Sequence, residues 1–319
     1  MKTPSVTEAI APRSLAADTP SAKGIGTATP STNITEKRVG TAVAPVKSIG
    51  VLLQESGKLR EKDVDRVIKL QKKKNLRFGE AAIRLGLVRD ADVQHVLAQQ
   101  FDYPYLLAGE RGFSSDLVAA YDPFGTRSET LRALRSRLML QWFDENHPAL
   151  ALVAANPGDG STYLTANLGV TFSQLGKRTL LVDANLRDPK LHTYFGLGNK
   201  AGLSDILVGR ADFSELTAVP PFNELTVLPA GTLPPNPAEL LSRDNVSDLF
   251  AVLAGHYSVI LVDTPPAQWC SDFQTVASHL GGALISVRKN RTRLDGVASI
   301  KTMLRAAGIQ IVGAVLDQH

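Results

Sequence analysis

The sequence predicts an α/β fold with a doubly wound, mostly parallel sheet, preceded by a small all-helical tandem-repeat domain and a disordered tail. Three observations support this prediction. Short apolar runs alternate with helical segments from Pro148 onwards. A pattern of apolar residues and glycines in 48–71 recurs in 77–100 at an offset of 29 residues. Residues 1–46 are rich in Ala, Thr, Ser and Pro and have no apolar periodicity, so they cannot form a core.

The composition indicates a globular, cytoplasmic protein. The 319 residues are 44% hydrophobic and 21% charged, which corresponds to about two domains. No apolar run approaches the roughly 18 residues of a membrane-spanning helix, and the first residues lack a signal-peptide pattern. The single cysteine, Cys270, excludes an internal disulfide and a Cys-based zinc site. The net charge of +4 is spread along the chain, so nucleic acid is not expected as a partner.

Residues 47–107 are predicted to form the helical module. Each copy of the repeat contains an apolar helix start, a glycine that can end the helix, a short polar stretch and a second apolar-periodic helix. The glycines are Gly57 and Gly86, and the second helices close in Gln71 and Gln100. Each copy is therefore predicted to be a helix, a turn and a helix.

The repeat resembles the N-terminal domain of type II secretion and pilus ATPases, the MshEN type, whose tandem motifs bind cyclic di-GMP. The resemblance implies cyclic di-GMP as an effector, with a site built from Gly50, Leu53, Gly57, Gln71, Arg77, Gly79, Gly86, Leu87 and Gln100. The first copy has Ser48 where the family has Arg. The alternative is a helical protein-docking module that keeps the glycines only for its turns.

Residues 108–127 are predicted to be a linker, and 128–319 a nucleotide-binding domain. The domain starts with a helix over 128–138 that has Leu131, Leu134 and Leu138 on one face. Continuous apolar strands separated by helices are typical of a parallel sheet covered on both faces. Six strands are predicted, at 149–154, 178–182, 225–228, 259–262, 283–287 and 311–316.

The first of these strands runs into a glycine-rich turn and then a helix. Such a turn exposes backbone N–H groups at a helix N-terminus, which binds phosphates. The predicted nucleotide-binding residues here are Pro157, Gly158, Asp159, Gly160, Ser161, Thr162 and Tyr163. A P-loop has Lys at the position of Ser161, whereas Thr162 keeps the hydroxyl that binds Mg²⁺. The missing Lys predicts weaker nucleotide binding and a larger loss of phosphoryl transfer.

Two further strands end in acidic residues. Asp183 follows the strand at 178–182, and Asp263 begins the sequence Asp-Thr-Pro-Pro after the strand at 259–262. Acidic residues at these strand ends face the ligand crevice of such a sheet, and carboxylates are preferred Mg²⁺ ligands. We therefore predict both as catalytic residues and, with Thr162, as Mg²⁺ ligands. Arg187 is predicted to contact a phosphate from the opposite side.

In this order the motifs resemble the bacterial tyrosine kinase (BY-kinase) family, and more broadly the P-loop ATPases of the ParA/MinD class, over 128–319. Glu129, Arg132 and Arg135 match the family's Glu-x-x-Arg-x-x-Arg helix, and the resemblance implies that they make subunit contacts in a ring-like homo-oligomer. The resemblance also implies ATP and Mg²⁺ as cofactors.

The combination of this domain with the repeat module resembles the EpsG-type kinases of exopolysaccharide chain-length control. That resemblance implies a membrane-embedded chain-length determinant as partner, whose cytoplasmic tail helps to activate the kinase. The protein would then be peripheral to the inner membrane through this partner.

The sequence departs from the kinase pattern at three places, and these keep alternatives open. Ser161 stands where the family has Lys, Asn185 replaces the second Asp of the strand-end pair, and residues 317–319 contain no tyrosine cluster. One alternative is a catalytically weak or inactive pseudokinase scaffold that docks to the polysaccharide export machinery. A ParA/MinD-like positioning ATPase is a third hypothesis, disfavoured because Asn156-Pro157-Gly158 also lacks the signature Lys of that class.

Overall fold

The computed structural model describes residues 47–100, 103–107, 110, 112–198 and 200–318. The predicted tail, 1–46, lies outside the described residues. The described chain divides into two compact units, with the boundary between Tyr103 and Pro104. Within the described ranges, no helix combines the length and apolar character that crossing a membrane requires.

The unit before Pro104 is a four-helix arrangement. Its helices are α1 (Ile49–Glu55), α2 (Glu61–Lys74), α3 (Phe78–Arg84) and α4 (Asp90–Gln100). The helices α3 and α4 begin 29 residues after α1 and α2, as the repeat predicts. The core between them consists of Leu53, Leu59, Val67, Ala81, Ala82, Val88, Val93 and Val96.

Equivalent glycines form the two turns within these helix pairs. Gly57 has a φ of 68° and Gly86 a φ of 65°. A residue with a Cβ rarely adopts this left-handed conformation, whereas glycine adopts it freely. The turn geometry therefore explains why both copies have glycine at this position.

The unit from Pro104 onwards is built on a seven-stranded sheet. The strands are β1 (Ala149–Ala154), β2 (Thr179–Asp183), β3 (Thr217–Val219), β4 (Phe222–Leu228), β5 (Val259–Asp263), β6 (Gly282–Arg288) and β7 (Gln310–Asp317). Their order is β3-β4-β2-β5-β1-β6-β7, and all neighbours are parallel except β3 and β4. The predicted fold class is confirmed, with all six predicted strands. The unpredicted β3 is an edge strand of 3 residues, too short to show an alternating pattern.

Helices cover both faces of this sheet. They are α5 (Val118–Tyr121), α6 (Thr126–Gln141), α7 (Ser161–Gln174), α8 (Leu191–Tyr194), α9 (Leu203–Leu207), α10 (Pro237–Leu241), α11 (Asp244–Ala254), α12 (Asp272–Leu280) and α13 (Leu294–Ala306). Every residue of β1, β2 and β5 is buried. The helix α7 packs closely on β2, because a Cβ on Gly169 would lie 2.6 Å from Leu181 Cδ2. Covering on both faces explains why these strands are continuous apolar runs.

The segment predicted to be a linker contributes to the core instead. Leu117, Ala119 and Ala120 are fully buried. The Asn167 side chain of α7 holds this segment, since the Ala119 N–H donates to its Oδ1 at 3.0 Å and its Nδ2 donates to the Asp116 carbonyl at 2.9 Å. The linker prediction is therefore wrong for the described residues of 112–127. The apolar residues lie in a short irregular stretch with neither helical nor strand periodicity, so the pattern does not reveal their burial.

Candidate functional site

The loop between β1 and α7 has the backbone of a phosphate cradle. Gly158 and Gly160 adopt φ values of 80° and 92°, which turn the chain sharply into the N-terminus of α7. The buried Asp159 carboxylate closes the loop by accepting hydrogen bonds from the Asn156 N–H at 2.9 Å and from its Nδ2 at 3.0 Å. Ser286 Oγ on β6 donates to the Asp159 carbonyl at 2.7 Å. The N–H groups that begin α7 have no acceptor within the helix, so this end can bind an anion.

Two buried carboxylates lie side by side next to this loop. Asp183 ends β2 and Asp263 ends β5, and the two residues are paired in the register of the sheet. Asp183 is held by three main-chain N–H groups, since it accepts from Asn185 at 3.1 Å, Lys190 at 3.1 Å and Leu191 at 3.0 Å. The parallel sheet thus brings together two acidic residues that lie 80 positions apart in the sequence.

Asp263 is hydrogen-bonded to the start of α7 through only one of its two carboxylate oxygens. Thr162 Oγ1 donates to Asp263 Oδ2 at 2.5 Å. The other oxygen, Oδ1, is buried and accepts no hydrogen bond from any described residue. A buried, unpartnered carboxylate oxygen beside a hydroxyl is suited to a hard divalent cation, since Mg²⁺ prefers oxygen ligands. Thr162, Asp183 and Asp263 therefore fit the predicted Mg²⁺ site.

Burial shifts the protonation of both carboxyl groups. It raises the pKa of Asp263 to about 6, against the hydrogen bond from the Thr162 hydroxyl, which lowers it. Burial, and then the charge of Asp263, raise the pKa of Asp183 well above its ordinary value, against its three main-chain N–H partners. Both shifts express the cost of ionising a carboxyl group away from water, to which the charge of Asp263 adds at Asp183.

A cavity of about 360 Å³ opens at this loop, within the size range of small-molecule sites. Most of the predicted nucleotide-binding residues line it, namely Pro157, Gly158, Gly160, Ser161, Thr162 and Tyr163. Asp159 supports the loop from inside, as described above. The same cavity is lined by Asn185 and by Thr264, which follows Asp263.

Arg187 is the exception among the predicted phosphate contacts. Its Nε donates to Asp272 Oδ2 at 2.8 Å and its Nη2 to Asp272 Oδ1 at 3.2 Å. Asp272 begins α12 and is only 1% exposed, so this two-pronged ion pair satisfies a buried charge. The phosphate contact predicted for Arg187 is therefore wrong in this structure. The sequence carries no signal that a carboxylate 85 residues away captures the guanidinium.

Three cations that the motifs did not indicate line the cavity: Arg127, Lys190 and Arg288. Arg288, at the end of β6, donates from Nη1 to the Gly158 carbonyl at 3.0 Å. Lys190 lies in the strand-end loop that follows Asp183, so its closeness to Asp183 in the sequence could have identified it as a site residue. Arg127 and Arg288 come from elements distant in sequence from the glycine-rich loop, and only the folded chain brings them to the cavity.

The predicted oligomerisation residues lie on α6. Arg132 pairs with Glu129 and also donates to the Pro123 carbonyl. Arg135 Nη1 donates to the Thr171 carbonyl of α7 at 2.8 Å. The Glu129 side chain is 70% exposed. Within one chain, the two arginines therefore fasten α6 to its neighbours, while Glu129 faces outward.

In the helical unit, three of the residues predicted to bind cyclic di-GMP serve helix packing. Leu53 is fully buried in the core, so it cannot touch a ligand, and its predicted contact is wrong. A Cβ on Gly50 would lie 3.1 Å from the Phe78 ring, and one on Gly79 would lie 2.8 Å from Val93 Cγ1. The remaining predicted residues are exposed or half-buried: Gly57, Gln71, Arg77, Gly86, Leu87 and Gln100.

The glycine-rich loop before α7, the strand-end carboxylates and the parallel sheet together define a P-loop nucleotide-binding protein. Comparison with known proteins identifies the family within this class. Residues 148–288 match the family described as cellulose biosynthesis protein BcsQ. The putative tyrosine-protein kinase CapB of Staphylococcus aureus is 31% identical over 212 residues, which cover 66% of this chain and 93% of CapB. The tyrosine-protein kinase YwqD of Bacillus subtilis is 31% identical over 202 residues, covering 63% of this chain and 85% of YwqD.

Solved structures give the same result. The kinase domain of Escherichia coli tyrosine kinase ETK superposes with a TM-score of 0.62 at 28% identity, covering 68% of this chain and 85% of that domain. The chimerical protein CapA2B2 superposes with a TM-score of 0.61 at 29% identity, covering 70% of this chain and 98% of the chimera. This chain belongs to the bacterial tyrosine-protein kinase family.

Proposed function

We propose that this protein binds MgATP at the loop before α7 and transfers the terminal phosphoryl group to a protein tyrosine. The observation that carries this proposal is the juxtaposition of Thr162, Asp183 and Asp263, with a buried Asp263 oxygen that no described residue satisfies. When bound, Mg²⁺ supplies positive charge that neutralises the phosphates. Thr162 and the two carboxylates would hold it, and the N–H groups at the start of α7 would hold the phosphates.

In this reaction the bond between the terminal phosphorus and the bridging oxygen breaks, and a bond to the tyrosine oxygen forms. The phenolic proton passes to one of the two strand-end carboxylates, Asp183 or Asp263, which lie side by side at the proposed phosphate site. The leaving group is ADP. Positioning and electrostatic stabilisation supply most of the catalysis in phosphoryl transfer.

A second candidate is a pseudokinase scaffold that binds nucleotide but transfers phosphate weakly or not at all. Ser161 favours this alternative, because it places a neutral hydroxyl where a P-loop supplies a charged ammonium to the terminal phosphates. Asn185 adds to it, since its Nδ2 donates to the Asp188 carbonyl at 2.8 Å and no second carboxylate is present at that position.

Radiolabelled ATP and antibody detection of phosphotyrosine distinguish the two candidates. We expect Mg²⁺-dependent incorporation into tyrosine by the full-length protein, increased in Ser161→Lys because the variant restores the ammonium. Asp263→Asn is the matched negative control. If wild type binds MgATP but neither it nor Ser161→Lys produces phosphotyrosine, the kinase proposal is wrong and the scaffold stands. If thermal melting shows no difference between MgATP and EDTA, nucleotide binding itself is refuted.

We further propose that the biological process is exopolysaccharide synthesis and control of chain length. The proposal is supported by kinase family membership and by the similarity of residues 148–288 to a cellulose biosynthesis family. The proposed partner is the cytoplasmic tail of a membrane-embedded chain-length determinant, which would place the protein at the inner membrane. The proposed ring-like homo-oligomer would use the exposed Glu129. Sedimentation with and without a peptide of the tail tests both assemblies, and a monomer under both conditions contradicts them.

Cyclic di-GMP is proposed as an effector of the helical unit. Arg77 supports this proposal, because it is exposed and its guanidinium plane can stack on a base. Calorimetry on the full-length chain should show heat on titration with cyclic di-GMP, which Arg77→Ala removes. Arg84→Ala, an exposed arginine six residues past the start of α3, is the matched control. Absence of heat with wild type contradicts the proposal and favours a protein-docking module.

A further inference from the structure

The nucleotide cavity lacks the fixed ammonium that a P-loop normally points at the terminal phosphates. Ser161 occupies that position, and the residue is only 8% exposed. A serine hydroxyl can donate one hydrogen bond but carries no charge. Hydrogen bonds from a charged donor to phosphate are roughly twice as strong as neutral ones. A cation from elsewhere in the chain could therefore restore much of the missing interaction.

Of the three cations that line the cavity, Arg288 and Arg127 are poorly placed for this role. Arg288 is held on the Gly158 carbonyl at 3.0 Å, so its guanidinium is directed at the backbone of the loop itself. Arg127 lies on α6 and also lines a second groove, of about 670 Å³, together with other residues of α6 and residues of β7. Neither residue belongs to the loop after β2, which follows the first carboxylate.

Lys190 is held next to the metal-binding carboxylates by its main chain. Its N–H donates to Asp183 Oδ2 at 3.1 Å, and the neighbouring Leu191 N–H donates to the same oxygen at 3.0 Å. These bonds hold the Lys190 backbone beside Asp183 in any conformation of the Lys190 side chain. The four-carbon side chain extends from this anchor and lines the cavity.

The Lys190 ammonium has an exchangeable partner inside the same cavity. Its Nζ lies 2.7 Å from Asp188 Oδ2, and the two side chains are 61% and 46% exposed. Exposed ion pairs of this kind are weak, because water screens the charges and the long side chain loses freedom. A nucleotide phosphate, with more negative charge than one carboxylate, can therefore replace Asp188 as the partner of Lys190.

We infer that Lys190 supplies, from the loop after β2, the positive charge on the terminal phosphates of a nucleoside triphosphate that Ser161 does not supply. This inference rests on the proposed MgATP binding. It assigns a nucleotide-binding role to a residue outside the glycine-rich loop. It also gives a chemical reason why this chain can carry Ser161 and keep the site.

A double-mutant cycle between Lys190 and Ser161 tests the inference, with MgATP affinity measured by calorimetry on the full-length protein. Lys190→Gln should weaken MgATP binding about ten- to a hundredfold, the loss of one charge-assisted contact. In the Ser161→Lys background the same substitution should cost less than about threefold, because the restored ammonium takes over the role. Lys190→Arg should keep most of the affinity. Lys301→Gln, an exposed lysine on α13, should have no effect.

Each outcome has a distinct meaning. Wild-type affinity in Lys190→Gln, or an equal loss in both backgrounds, overturns the role of Lys190 while leaving MgATP binding intact. If wild type does not bind MgATP and Ser161→Lys does, the proposed function falls together with the inference. Melting of the nucleotide-free variants controls for folding, and it should be unchanged because the substitution keeps the main-chain bonds to Asp183.

Discussion

Replacing Asp263 with Asn should make the nucleotide-free protein more stable at neutral pH. Asp263 is fully buried, and burial raises its pKa from 3.8 to about 6. One pKa unit corresponds to about 1.4 kcal/mol, so holding this carboxylate ionised costs about 3 kcal/mol above pH 7. Asn keeps the shape and still offers an oxygen to the Thr162 hydroxyl. The free energy of unfolding in EDTA should therefore rise by up to about 3 kcal/mol.

The pH dependence of this gain follows from linkage. The folded protein binds the Asp263 proton more tightly than the unfolded chain, so the contribution of Asp263 to the stability of wild type is most favourable below pH 4 and becomes less favourable as pH rises towards 6. The advantage of Asp263→Asn should be near its full value at pH 7.5 and about half of that at pH 5. MgATP should reverse the order, since it stabilises wild type and not a variant that has lost a metal ligand.

Urea denaturation followed by tryptophan fluorescence measures this effect. Both tryptophans, Trp142 and Trp269, lie in the α/β unit, so the signal reports on the unit that contains the site. Asp248→Asn, which changes an exposed carboxylate on α11, is the matched control and should change stability little. A variant that is no more stable than wild type at pH 7.5 in EDTA, or whose gain is equal at pH 5 and 7.5, would refute the reasoning.

Three further predictions concern the turns, the buried ion pair and the metal site. Gly86→Ala should lower the unfolding free energy of the helical unit by about 1–2 kcal/mol, because the φ of 65° at Gly86 is left-handed, and Gly86→Asn should lower it less. Melting followed by circular dichroism measures both changes, and equal losses of stability would contradict this prediction. Arg187→Met should lower the free energy of unfolding by about 3 kcal/mol, because it leaves Asp272 charged and buried. Adding Asp272→Leu should recover part of this loss, as measured by urea denaturation. If the double variant recovers none of it, the ion pair does not have this role. Thr162→Val should weaken MgATP binding more than tenfold by calorimetry, since it removes the hydroxyl beside Asp263, whereas unchanged affinity would exclude Thr162 as a metal ligand.

The core strands and the glycine-rich loop could be predicted from the sequence because their signals are local. A strand buried on both faces must be apolar at every position, and β1, β2 and β5 are continuous apolar runs. The turn glycines and the acidic residues at strand ends lie at fixed positions relative to these runs. The 29-residue repeat likewise places equivalent helices and glycines without any knowledge of their packing.

Other parts of the site depend on contacts between residues that are distant in the chain, and no local pattern contains them. The capture of Arg187 by Asp272, the burial of Leu117 in a predicted linker and the burial of Leu53 in the helical core follow only from packing. The approach of Lys190 and Arg288 to the loop before α7 has the same origin.

The sheet, the glycine-rich loop and the two acidic strand ends follow from the sequence alone, because apolar runs and turn residues reflect local burial and backbone conformation. Which charges meet in the cavity depends on how the chain folds. The register of β2 and β5 pairs Asp183 with Asp263, and the loop after β2 brings Lys190 to the cavity that Ser161 also lines. Electrostatic partnership depends on distance in space, which the order of residues along the chain does not specify.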